Sequence, residues 1–140
     1  MSVTTRPGVV LAVDVGTVRV GVAASDPDRV LASPVETVPA PGHARVAELA
    51  QERQAVLVVI GLPTSLSGRS DSASAQMARD WAQVFSSRCD LPVELVDERL
   101  TTVTATAALR ASGKKGQAAR KIVDQAAAVA LLQGFLERAR

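Results

Sequence analysis

The spacing of apolar residues changes several times along this chain, and each change marks an element. Val9 to Val13 and Val18 to Ala24 are dominated by Val, whose branched side chain packs well on a pleated surface, and Gly16-Thr17 stands between them. The pattern predicts two strands joined as a hairpin. Asp26-Pro27-Asp28 signals a turn, and Val30 to Val38 predicts a third strand. Pro34 places that strand toward a sheet edge, because proline cannot donate to a ladder. Three strands in succession imply an antiparallel meander. Past Pro39-Ala40-Pro41-Gly42 the period shifts, and Val46, Leu49 and Ala50 recur at helical spacing through about 43–54. His43 opens that helix and, as a lone histidine, is expected to be solvated rather than a metal ligand.

Val56 to Ile60 is apolar without interruption, which predicts the central strand, covered on both faces and parallel to its neighbours. The Gly-, Pro- and Ser-rich stretch from Gly61 to Ser70 predicts a loop at that strand's C-terminal end, where open α/β sheets bind ligands. Ser72 suits the N-cap of a helix reaching Arg88, whose Met77, Ala78, Trp81, Ala82 and Phe85 form one apolar stripe and read as core. Pro92 to Asp97 predicts a shorter strand. Thr101 or Thr102 then caps a helix to about Ala111, Ser112 to Gly116 forms a basic loop, and Gln117 begins a final helix to Arg138. The order β-β-β-α-β-α-β-α-α describes an α/β fold, a mixed sheet flanked by helices.

Composition narrows the function classes. A chain of 140 residues forms one domain able to bury roughly two-thirds of its unfolded surface. Aromatics are only 2% of it, which argues against a stacking platform for bases. Cys89 is the single cysteine, so an internal disulfide and a cysteine metal cluster are excluded and a reducing compartment fits. The polar N-terminus and the interruption of the first apolar run by Asp14 resemble neither a signal peptide nor a membrane span, so a cytoplasmic protein with no membrane contact is expected. Net charge is +2, but its distribution is uneven. Between Arg99 and Val123 stand six basic residues, Arg99, Arg110, Lys114, Lys115, Arg120 and Lys121, and no acid. That is a field suited to phosphate, although a solvated helical face reads the same way.

Three acids sit where a carboxylate is locally unexpected. Asp14 ends an apolar strand, where it either caps the turn or needs a cation. Glu98 follows the last strand, beside Asp97. Asp124 shares its helical stripe with Ala128, Leu131 and Phe135, unless it merely offsets the helix dipole near the start. Together they would form an oxygen-only site, which selects Mg²⁺ or Mn²⁺ and suits phosphodiester cleavage. Arg19 and the basic stretch would then hold the phosphate backbone. No Cys/His cluster, Walker loop or G-x-S-x-G elbow is present.

Four pieces of the chain match one family in order: Asp14-Val15-Gly16-x-x-Arg19-Val20-Gly21-Val22-Ala23; Gly61-Leu62-Pro63 followed by Gly68; Asp97-Glu98-Arg99-Leu100-Thr101-Thr102; and Lys121-x-x-Asp124-x-Ala126-Ala127 with Leu132-Gln133-x-Phe135-Leu136. The chain resembles the YqgF/RuvX family, relatives of the RuvC Holliday junction resolvase proposed to mature the 5′ end of 16S ribosomal RNA. The resemblance implies a ribonuclease H-like sheet of three antiparallel strands followed by two parallel ones. It implies Asp14, Glu98 and Asp124 as the metal-binding catalytic acids, with Asp97 as a possible substitute for Glu98. Members commonly carry two basic residues where this chain has Val18-Arg19, which leaves Arg19 as the basic contact there. Arg19, Arg99, Lys114, Lys115 and Lys121 would position an RNA precursor or branched DNA. Four-way DNA with two symmetric cuts would favour a homodimer. Two other classes remain: a non-catalytic RNA- or ribosome-binding factor, and an ATP-handling protein with a similar D-x-G-T hairpin. The latter would need a second lobe that 140 residues do not supply.

Overall fold

Alternation along the first strand decides how the chain is layered. In β1 (Val9–Val15) Leu11 and Val13 point to one side of the sheet, and Val10, Ala12 and Asp14 to the other. Leu11, Val13, Val10 and Ala12 are all fully buried, because helices cover both sides. The computed structural model describes residues 8–63, 72–98 and 117–139, with side chains over 125–138 in the last segment. β2 (Arg19–Ser25) and β3 (Ala32–Pro39) complete the antiparallel meander. β4 (Ala55–Leu62) and β5 (Val93–Asp97) add in parallel beyond β1, giving the order β3-β2-β1-β4-β5. The middle strand is therefore β1. The apolar run of β4 was the expected centre, but such a run reports cover on both faces, and β1 and β4 share that property.

α1 (His43–Glu52) and α2 (Ala73–Arg88) close one side of the sheet, where Leu11, Val22, Val58, Ile60, Trp81 and Phe85 form a core. α3 (Gln117–Ala139) closes the other, packing Ala128, Leu131, Leu132, Phe135 and Leu136 on Val10, Ala12, Leu57 and Val59. Ser72 caps α2 as its sequence suggests, its hydroxyl accepting from the Ala75 N–H at 3.1 Å. α1 stops two residues short of the expected end, because Gln54 takes a left-handed φ of 54°. The helix expected over about 102–111, and the basic loop after it, lie outside the described residues. Among the described residues, no helix is long and apolar enough to cross a membrane.

Two local readings are corrected. β3 begins at Ala32 rather than Val30, since Asp26 Oδ1 accepts the N–H groups of both Val30 and Leu31 at 2.8 Å and holds those residues in a turn. His43 opens α1 as expected but is not solvated. Its ring is half-buried and stacks on Trp81, with centroids 4.6 Å apart and planes inclined by 25°. Burial, aided by the charge of Arg88, holds the imidazole below its ordinary pKa. Trp81 in turn stacks on Phe85 and donates from Nε1 to the Pro41 carbonyl at 2.6 Å.

Candidate active site

Asp14 is half-buried near the C-terminal end of β1 and pairs across the ladder with Gly21 of β2, which pairs with Thr37 of β3. On the other side of β1, Val13 pairs with Ile60, so the next residue of β4, Gly61, stands beside Asp14. Gly61 pairs with Val96 of β5. Thr37, Gly21, Asp14, Gly61 and Val96 thus form one row across the sheet. All of them face α3, as the burial of Ala12, Val59 and Val96 in the α3-side core requires. The only carboxylate of the row is flanked by two residues without side chains.

Glu98 occupies that bare ground. A Cβ placed on Gly61 would lie 2.6 Å from Glu98 Oε1 and 3.0 Å from its Cγ. The Glu98 side chain therefore folds back over β4 on the face that carries Asp14. Asp97 is directed oppositely: it pairs with Leu62, which packs into the core beneath α1 and α2. Alternation along β5 agrees, because Val96 belongs to the α3 side.

Arg19 opens β2 two residues before Gly21, so alternation carries it to the same face, one step nearer the sheet's C-terminal edge. The hairpin tip between them is tightly held. A Cβ on Gly16 would meet the Arg19 carbonyl oxygen, and the Val18 carbonyl accepts the Ala40 N–H at 3.0 Å.

α3 reaches this row through Gln125, whose Nε2 donates to Thr37 Oγ1 at 3.0 Å. Asp124 is the preceding residue of the helix, one turn before the fully buried Ala128. Lys121 lies one turn further toward the helix start; the described side chains begin at Gln125. Arg99, Lys114 and Lys115 lie outside the described residues. Among the described residues, no group of three or more His, Cys, Asp and Glu is assembled; what the structure places on one face is Asp14 in the row and Glu98 over its neighbour Gly61. Their chemistry fits a hard divalent cation: two half-buried carboxylates, one on β1 and one just past the end of β5, on the same face and separated by the bare Gly61 of β4.

Reading the sequence missed Thr37 and Gln125, which fix α3 over the row, and treated Gly61 as the start of a loop rather than as strand. A signal for Gly61 was available. A glycine inside a β-rich run, such as Ile60-Gly61-Leu62, often marks a place where another group approaches the backbone closely.

Comparison with known proteins gives one consistent result. The family profile described as RuvX, Holliday junction resolvase, matches residues 8–138. A Kineococcus radiotolerans protein is 56% identical over 141 residues, covering 96% of this chain and 74% of that relative. A Streptomyces coelicolor protein is 49% identical over 139 residues, covering 96% and 83%. Both are named as proposed pre-16S rRNA nucleases. Among solved structures, Thermus thermophilus RuvC in complex with a Holliday junction substrate superposes with a TM-score of 0.58 at 18% identity, covering 94% of this chain and 95% of that one. At that identity the likeness shows the fold, which is ribonuclease H-like as the resemblance implied.

Proposed function

The chain belongs to the RuvX family, and from that premise we propose that it is a metal-dependent nuclease that hydrolyses phosphodiester bonds near the 5′ end of a 16S ribosomal RNA precursor. The observation that carries this reading is that the Glu98 side chain, coming from just past the end of β5, folds over Gly61 of the intervening β4 on the face where Asp14 stands on β1. The names of relatives about half identical to it support the substrate.

In this reading Asp14, Glu98 and Asp124 hold Mg²⁺ or Mn²⁺, Asp124 coming from the turn of α3 that Gln125 fastens to Thr37. When bound, such an ion supplies positive charge that acidifies water and stabilises a departing oxygen. The carboxylates supply geometry, held by strands and by a helix packed on them, which is more precise than a site built on loops. Arg19 lies on the same face toward the open edge and takes a backbone phosphate, with Arg99, Lys114, Lys115 and Lys121 as further contacts. Contacts of that sort fix register without reading bases, so specificity comes from nucleic-acid shape.

A second reading is favoured by the family's description: cleavage of four-way DNA. One experiment separates the two. Mn²⁺- or Mg²⁺-dependent cleavage of a 16S rRNA precursor fragment is measured beside a DNA four-way junction, with the wild-type protein and Asp14→Asn. Cleavage that disappears with the metal and with the substitution establishes the nuclease site, and the preferred substrate identifies the branch. Cleavage that persists in Asp14→Asn refutes the site. Binding of RNA without cleavage by either protein would move the reading to a non-catalytic factor.

A further inference from the structure

We propose that Gly61 is a positioning residue: its lack of a side chain is what allows the Glu98 carboxylate to lie over β4 beside Asp14. The proposal rests on the reading of Glu98 as a metal-holding acid, but its structural half is testable without that reading. The three atoms nearest a Cβ on Gly61 all belong to Glu98, namely Oε1 at 2.6 Å, Cγ at 3.0 Å and Cδ at 3.2 Å. Rotating the carboxylate alone would relieve only the contact with Oε1. The Cγ contact remains, so an alanine here obliges Glu98 to change its side-chain path and withdraw its head from the row.

Backbone freedom is not the reason for glycine at this position. Gly61 pairs in regular register with Val96, and its φ lies outside the left-handed region that favours glycine. Glycine inside a strand weakens it relative to alanine, so the requirement is one of space. Asp97 offers no replacement, because it is directed to the opposite face.

The test uses four full-length proteins: wild type, Gly61→Ala, Glu98→Ala and Gly61→Ala/Glu98→Ala. Melting temperatures are measured without metal, and Mn²⁺ binding by calorimetry. Gly61→Ala should weaken Mn²⁺ binding roughly 10- to 100-fold, the range found when groups that orient metal ligands are lost. Its melting temperature should fall, and the fall should disappear when residue 98 is already alanine, because the Cβ then has room. If Gly61→Ala does not fold, a folded double variant supports the proposal and an unfolded one overturns it. An equal change of melting temperature in both backgrounds also overturns it, as does undiminished Mn²⁺ binding by Gly61→Ala. Mn²⁺ binding that is unchanged by Glu98→Ala refutes the metal-site reading and the proposal with it, whatever the melting cycle shows.

Discussion

Gln125 of α3 donates from Nε2 to Thr37 Oγ1 of β3 at 3.0 Å, joining residues 88 positions apart. The bond crosses the end of the sheet that holds Asp14, and it fixes the helical turn to which Asp124 belongs. Gln125→Ala should cost roughly 0.5–1.5 kcal/mol, the ordinary net value of one such bond. A shift of the urea midpoint at constant slope measures it. Thr37→Val removes the same bond while keeping the shape, so the double variant should be no worse than the more damaging single one. If the two costs add, the bond is not what ties the helix to the row. Cleavage should fall further than the loss of stability explains, since Asp124 loses its anchored neighbour.

Glu98 and Asp97 are adjacent in sequence and opposite in direction. Glu98→Gln should therefore abolish most metal-dependent cleavage, by about 10²-fold or more if it removes several kcal/mol of charge stabilisation. Asp97→Asn should keep cleavage within a few fold of wild type, once the fraction of folded protein is allowed for. Initial rates at saturating Mn²⁺ compare them. A larger defect in Asp97→Asn than in Glu98→Gln would mean that the wrong acid of the pair has been assigned.

Which of these features the sequence discloses follows from their range. The strands, the edge position of β3 and the cap at Ser72 are written in local patterns: branched residues, a proline at the edge, a serine before a helix; which strand is central is not, since β1 and β4 are equally covered. Asp14 and Glu98 stand out because each is a carboxylate at the end of an apolar run. Local patterns do not disclose which face a residue takes at a strand end. Asp97 and Glu98 look equivalent until the pairing of Asp97 with Leu62 and the packing of Glu98 on Gly61 are known. The histidine at the start of α1 was misread for the same reason, because its stacking partner, Trp81, lies 38 positions later.

That histidine yields a pH prediction with a built-in reporter, since the chain has one His and one Trp and they stack on each other. The His43 pKa in the folded protein lies below the ordinary value of 6.5, owing first to burial and then to Arg88. The unfolded chain therefore binds the proton more readily. Stability is fully present above about pH 6.5 and is lost as pH falls through the unfolded pKa toward the depressed folded one. Trp81 fluorescence should titrate with a midpoint below 6.5, and His43→Gln should remove both that transition and its share of the acid sensitivity of melting. A midpoint at or above 6.5 would show that the ring is solvated after all.

Arg19 opens β2 on the face that carries Asp14, one step nearer the C-terminal edge, where a nucleic-acid backbone would arrive. If it neutralises one phosphate, Arg19→Ala should weaken binding of the RNA fragment and the four-way DNA by similar factors, because a phosphate contact carries no sequence information. It should also make the slope of log Kobs against log salt concentration less negative by about 0.7–0.9, one counterion fewer being released. Filter binding over a salt series without divalent metal, with Asp14→Asn as the parent, reads both quantities; that variant is expected not to cleave the ligand. An arginine that only braces the hairpin gives a different signature: the melting temperature falls, the salt slope does not move, and the loss of affinity follows the unfolded fraction. The slope thus decides whether this face is where substrate docks.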